Sequence, residues 1–171
     1  MRLTIVGGGG FRVPLVYRAL ASEERAVRVD ELVLHDTSAV RLERIAAVLA
    51  EIATEYPHPP RVRLATDLTE AVSGADFVFS AMRVGGLAGR VCDERSALDL
   101  GVLGQETTGA GGVCYGLRPV PVALALAETV RAVAPEAYVI NFTNPAGMVT
   151  EAMSAVLGRR VIGICDSPVG L

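Results

Sequence analysis

Leu3-Thr4-Ile5-Val6-Gly7-Gly8-Gly9-Gly10-Phe11-Arg12-Val13-Pro14 joins a short β-branched run to four glycines and then to a segment of helical spacing. Glycines between a strand and a helix permit a tight turn and let backbone amides approach a pyrophosphate at the helix N-terminus. The three-glycine dinucleotide fingerprint is only partly met, since Gly7-x-Gly9 puts Arg12 at its third position and Gly8-x-Gly10 puts Val13 there. Context adds to it, because the next strand ends at Asp36. A carboxylate there accepts hydrogen bonds from the adenosine ribose and repels a 2′-phosphate, which favours NAD over NADP. Gly7, Gly8, Gly9, Gly10, Phe11, Arg12 and Asp36 are the expected cofactor contacts. The plainer alternative is a glycine-rich turn beside a surface acid. His35 reads as a strand residue.

Outward from this turn, short apolar runs alternate with longer helical segments, the pattern of βαβ units and a parallel sheet. Strands are expected at residues 3–6, 31–34, 61–64, 77–81, 138–142 and 161–164, and helices at 11–21, 38–56, 68–73, 93–101, 118–132 and 147–156. The fold class is α/β, a doubly wound parallel sheet of Rossmann type, with residues 1–171 forming one nucleotide-binding domain. Residues 101–116 stand out as a long Gly/Thr loop, which inside a compact domain is usually functional.

Bulk properties restrict the partners. With 171 residues, 51% hydrophobic, the chain can bury one sizeable core. A net charge of −3 with no Lys/Arg block argues against nucleic acid. Apolar stretches are too short for a bilayer span and no signal peptide is evident, so a cytoplasmic protein without a membrane partner is expected. Three cysteines at wide spacing suit neither a disulfide framework nor a zinc knuckle.

Other polar groups gather at predicted strand ends. Arg83 and Arg90 flank glycines after the fourth strand, and their planar forks suit a phosphate, although a structural ion pair is equally compatible. Gly104-Gln105-Glu106-Thr107-Thr108-Gly109 offers amides, hydroxyls and a carboxylate; a flexible surface loop is the alternative. The fifth strand runs into Asn141-Phe142-Thr143-Asn144-Pro145 and the sixth into Gly163-Ile164-Cys165-Asp166. Asn before Pro commonly starts a turn, and a Cys after a buried strand is usually core. A thiolate with nearby oxygen ligands suits a divalent ion such as Mn²⁺, but one Cys is no site and neither histidine is placed to complete it.

These segments, taken in order with Arg83-Val84-Gly85-Gly86-Leu87, resemble glycoside hydrolase family 4 over nearly the whole chain. Within the family the likeness is greatest to 6-phospho-β-glucosidases. The resemblance implies an enzyme whose NAD⁺ removes hydride from the sugar's C3, so that a base can take the C2 proton while the C1 leaving group departs, after which water adds and hydride returns. A divalent metal, usually Mn²⁺, polarises the C2 and C3 oxygens. By motif, Cys165 matches the metal-binding cysteine, Asn144 a substrate contact, Arg83 an arginine near the substrate phosphate, and Gln105 and Glu106 the loop lining the same pocket; Arg90 is grouped with these. Asp166 matches the residue proposed as acid toward the leaving group in α-type members, where many β-type members carry Asn, and so leaves the anomer open. Phe11-Arg12-Val13-Pro14 departs from the more usual Ser-x-x-Thr-Pro and removes one hydroxyl from the pyrophosphate site.

Family members continue beyond the residue matching Leu171, and there supply the metal-binding histidine, the tyrosine proposed as C2 base and most dimer contacts. With the C-terminal half of the family fold absent from these 171 residues, the chain is expected to bind NAD without turning over a phosphorylated glucoside or disaccharide, and the full-length protein to be a homo-oligomer. Two readings of other classes stay open, a non-catalytic NAD-binding module and a hydroxy-acid dehydrogenase; the latter needs a catalytic histidine that neither His35 nor His58 is placed to provide.

Overall fold

A computed structural model describes residues 1–22 and 28–165. Six strands, β1 (Arg2–Val6), β2 (Glu31–His35), β3 (Arg61–Ala65), β4 (Phe77–Ser80), β5 (Tyr138–Asn141) and β6 (Val161–Gly163), form one sheet in the order β3-β2-β1-β4-β5-β6. Every pairing is parallel. This is the doubly wound Rossmann order, in which chain direction across the sheet reverses between β1 and β4 and opens a crevice at their carboxyl ends.

Helices cover both faces, which is why the central strands are apolar on successive residues rather than alternate ones. Ile5 faces α1 (Val13–Ala21) and α2 (Ala39–Ala53), in a core with Tyr17, Leu32, Leu34, Leu42 and Leu49. Its neighbour Val6 faces the other side, where Val78 and Val139 pack against α6 (Pro119–Val133) and α7 (Ala146–Leu157) through Leu126, Val130 and Met153. The short α3 (Leu68–Val72) buries Ala71 and Val72. Tyr17 is fully buried and donates its hydroxyl to the Pro60 carbonyl at 2.9 Å, tying α1 to the start of β3. Tyr17→Phe leaves that carbonyl unsatisfied and should cost about 1–2 kcal/mol in urea unfolding.

The expected strands and most helices are present with small shifts at their ends. Ladder bonds run one residue past the strand ends, from the amides of Ala81, Phe142 and Ile164 to Val6, Ser80 and Asn141. Apolar patterning therefore reads long there. α2 stops at Ala53 instead of residue 56 because its last amides, Thr54, Glu55 and Tyr56, bond three residues back, a tightened turn ahead of Pro57.

The larger differences lie between β4 and β5. A helix expected at 93–101 is α4 (Gly86–Leu98), which starts seven residues earlier and ends three earlier, and the expected loop 101–116 ends in a further helix, α5 (Gly109–Gly116). Local composition opposes both, since glycine is a poor helix former and α4 contains two and α5 four. Close backbone packing at Gly104 and Gly111 decides instead. A Cβ on Gly111 would lie 2.6 Å from the Gln105 carbonyl oxygen, one on Gly104 2.5 Å from that of Glu94. Among the described residues, no single helix is long and apolar enough to cross a membrane.

Candidate functional site

The glycine turn is fixed first by β2. The His35 carbonyl accepts from the amides of Gly7 (2.9 Å) and Gly8 (2.7 Å), and Gly10 closes the turn onto the Gly7 carbonyl at 3.0 Å. Gly7 has φ +95°, and a Cβ there would lie 2.4 Å from the Ala81 carbonyl oxygen. The turn thus rests against the end of β4. Asp36 accepts from Gly9 N at 3.1 Å on one oxygen and Ser38 N at 3.0 Å on the other, leaving each oxygen a lone pair for a further donor. α1 begins without a side-chain cap or an acidic residue in its first turn, so the positive end of its dipole is not neutralised from within. Phe11 is exposed, and the Arg12 guanidinium lies over both its ring and that of Phe142, at 5.6 and 5.2 Å. His35 is buried, and burial lowers its pKa. Its backbone, not its ring, holds the turn.

Two residues past Ala81 stands Arg83, the first member of a polar cluster that the fold assembles from three segments. Glu106 accepts from both forks of Arg83, at 3.1 and 3.2 Å, and from Asn144 Nδ2 at 3.1 Å, and pairs with the charge of Arg90, whose Nη1 lies 3.2 Å away. Its side chain is only 12% exposed. Burial alone would raise the Glu106 pKa, but hydrogen bonds from Arg83 and Asn144 and the two positive charges outweigh it and hold it below the ordinary glutamate value. Arg90 also donates to Glu94 at 2.7 Å. Two arginines against Glu94 and Glu106 give the cluster a net charge of zero. Gln105 lies beside Glu106 and is exposed.

The sign of the Glu106 shift sets a pH dependence. A carboxyl whose folded pKa lies below its unfolded one, near 4.3, contributes stability fully above that value and loses it as pH falls through the folded pKa. Urea unfolding of wild type and Glu106→Gln across acidic pH should show the wild-type advantage present above about pH 5 and shrinking as the solution is made more acid. A constant difference would contradict the ionised cluster.

Asn144 is placed by a buried scaffold. Asn141 accepts from Thr143 N at 3.1 Å and donates to the Thr143 carbonyl and Thr150 Oγ1, each at 3.1 Å. Thr143 Oγ1 in turn accepts from Met82 N at 2.9 Å and meets Ser80 Oγ at 3.1 Å, so the ends of β4 and β5 are locked together next to Arg83. Asn144-Pro145 is a cis peptide at the entry to α7.

Cys165 is exposed at the exit of β6, in a groove with Gly147, Thr150 and Glu151. No group of three His, Cys, Asp or Glu side chains able to hold a metal exists among the described residues. Asp166 lies outside them.

Arg83, Arg90, Glu106 and Asn144, read separately from the sequence, therefore converge, and Gly7 of the glycine turn packs against Ala81 and Met82, directly before Arg83. Asn141, Thr143 and Ser80 were not singled out, although Asn followed two residues later by a bonded amide is an Asx-turn signal that could have found Asn141. Asp93 and Arg118 were also missed. Their ion pair joins residues 25 apart, and nothing in local pattern announces it.

Sheet order, glycine turn and polar cluster together define a Rossmann-type domain with its candidate site at the topological switch point. The chain belongs to the family 4 glycosyl hydrolases, whose family model matches residues 2–171. It is 38% identical over 174 residues to a 6-phospho-beta-glucosidase of Escherichia coli K12, covering all of this chain and 39% of that protein. A 6-phospho-beta-glucosidase from Thermotoga maritima, solved with manganese, NAD⁺ and glucose-6-phosphate, superposes with a TM-score of 0.91 at 32% identity, covering 99% of this chain and 41% of that one. A 6-phospho-alpha-glucosidase from gut microorganisms, solved with NAD and Mn²⁺, gives 0.89 at 35% identity, covering 98% and 39%. The chain thus spans about two fifths of the length of these relatives.

Proposed function

We propose that residues 1–171 form one NAD-binding domain that also carries part of the sugar pocket of a 6-phospho-glucosidase, acting on 6-phospho-β-glucosides in the cytoplasm as part of a homo-oligomer. The observation that carries this reading is the contiguity of the glycine turn with the Arg83–Arg90–Glu106–Asn144 cluster across one crevice. NAD⁺ bound there would supply the hydride acceptor that oxidises the sugar at C3.

The residues fit that cofactor. The glycine turn and the uncapped start of α1 suit a pyrophosphate, with Phe11 and Arg12 at its rim, and Asp36 keeps acceptor capacity for ribose hydroxyls. Glu106, held ionised, accepts a sugar hydroxyl, and Asn144 and Gln105 orient the same ring. Arg83 and Arg90 are about two fifths exposed and keep donors not spent on Glu106 or Glu94. Because the cluster is neutral overall, a phosphate meets directed hydrogen bonds there rather than a strong positive field.

Cys165 would give a metal one thiolate, but no group of three His, Cys, Asp or Glu side chains gathers among the described residues, so they do not by themselves fit Mn²⁺. Asp166 is proposed as the acid toward the leaving group. Since a Cys-Asp pair also matches the α-type pattern, hydrolysis of 6-phospho-α-glucosides is the second reading.

Titrating glucose 6-phosphate into the NAD⁺-saturated chain should give saturable binding that Asn144→Ala weakens about tenfold, the effect of one charge-adjacent hydrogen bond. Binding that is unaffected by Asn144→Ala, or none at all, would contradict this pocket.

A further inference from the structure

Between the two arms of the Glu106 clamp lies an arginine that touches neither substrate nor cofactor in the reading above. Arg118, at the N-terminus of α6, forms a two-pronged ion pair with Asp93 of α4, one prong at 2.7 Å, and Asp93 is only 5% exposed. The guanidinium lies 5.6 Å from the Tyr115 ring centre on α5. It also fills the space left by two missing side chains, since a Cβ on Gly85 or on Gly89 would come within 2.9 Å of it. Its buried Nε, facing the bare Gly85, has no hydrogen-bond partner among the described residues.

Each contact leads to one arm of the clamp. Gly85 caps α4 two residues after Arg83, and Gly89 adjoins Arg90, so the stretch that rests on Arg118 carries both arginines. On the other side α5 packs its glycine backbone against the segment that presents Glu106, with a Cβ on Gly112 falling 2.7 Å from the Thr107 carbonyl carbon.

Resting on the sugar-pocket reading for its functional meaning, we infer that the Asp93–Arg118 pair is a positioning unit that sets the spacing of Arg83, just before α4, and Arg90, on α4, against Glu106 before α5. It contacts α4 through Asp93 and α5 through Tyr115, and acts on ligand through the positions of Glu106, Arg83 and Arg90. Lysine at 118 keeps the charge but neither the fork nor the flat face that lies on Tyr115 and the two glycines.

The test has one arm without any sugar. Glu106 is titrated by NMR in isotope-labelled chain, assigned by its loss in Glu106→Gln, in wild type, Arg118→Lys and Asp93→Asn. Both variants should move the Glu106 pKa up toward the ordinary glutamate value while NAD⁺ affinity is retained, which a general loss of structure would not produce. In the second arm Arg118→Lys should weaken glucose 6-phosphate binding several-fold in wild type and clearly less in Glu106→Gln, the non-additivity expected of residues in one network. An unmoved Glu106 pKa in folded Arg118→Lys and Asp93→Asn, or additive losses in the double variant, would overturn the inference. If wild type binds no glucose 6-phosphate, the sugar-pocket reading fails, and the NMR arm still decides whether the pair positions Glu106.

Discussion

Gly7→Ala should lose NAD⁺ affinity on the order of a hundredfold, equivalent to about 2.8 kcal/mol, and unfold at a markedly lower temperature. Two costs combine. At φ +95° an alanine sits in a region L side chains avoid, which costs about 1–3 kcal/mol. The new methyl would also lie 2.4 Å from the Ala81 carbonyl oxygen, and because that neighbour is backbone, relief requires the turn or β4 to shift, adding about 1–3 kcal/mol. Together these correspond to a midpoint lowered by about 10 °C in a chain of this size. The shift displaces the amides of Gly8 and Gly9 from His35 and Asp36, which is why cofactor binding falls with stability. Gly10→Ala is the control. Its methyl would meet only the Gly7 carbonyl oxygen, at 3.1 Å, so the stability loss should be smaller. Equal losses in the two variants, by scanning calorimetry, would mean that the contact with β4 is not what constrains the turn.

The second large effect is expected at Asn141, a fully buried residue. Asn141→Ala removes the acceptor of the Thr143 amide and the donor to Thr143 O and Thr150 Oγ1. A buried polar group left without a partner costs about 1–3 kcal/mol, so the sum should reach about 2–4 kcal/mol by urea unfolding. Thr143 then no longer holds Met82 in register beside Arg83, and Asn144 loses the turn that carries it to Glu106. Glucose 6-phosphate binding should disappear while NAD⁺ binding survives, since the glycine turn takes its hydrogen bonds from β2. Asn141→Asp distinguishes packing from hydrogen bonding. It keeps the shape but turns the donor into an anion facing the carbonyls of Thr143 and Ala146, and should be at least as destabilising as alanine at neutral pH. An aspartate variant as stable as wild type would contradict the donor role.

How much of this could be read from sequence follows from the range of the interactions involved. β1, β2 and the glycine turn are local: a β-branched run, four glycines and an acid at the next strand end specify them within 36 residues. Asn144 and Glu106 were legible as polar residues in turns, but not as partners, because the bond between them spans 38 positions. α4 and α5 were misread because their glycines signal loop in isolation, whereas in the fold the bare backbone of Gly104 approaches α4 and that of Gly111 and Gly112 in α5 approaches the Glu106 segment. Arg118 was invisible for a related reason. Beside Pro119 it looks like the ordinary start of a helix, and only three dimensions bring Asp93, Tyr115, Gly85 and Gly89 around it.

Calorimetric titration of NAD⁺ and NADP⁺ into this chain and its Asp36→Ala variant decides whether the β1 turn and Asp36 form an NAD site. Saturable NAD⁺ binding is expected, with NADP⁺ at least about tenfold weaker because its 2′-phosphate meets the Asp36 carboxylate, and with weaker NAD⁺ binding and a smaller preference in the variant. NAD⁺ binding indifferent to Asp36→Ala, or no binding of either nucleotide, would contradict that site.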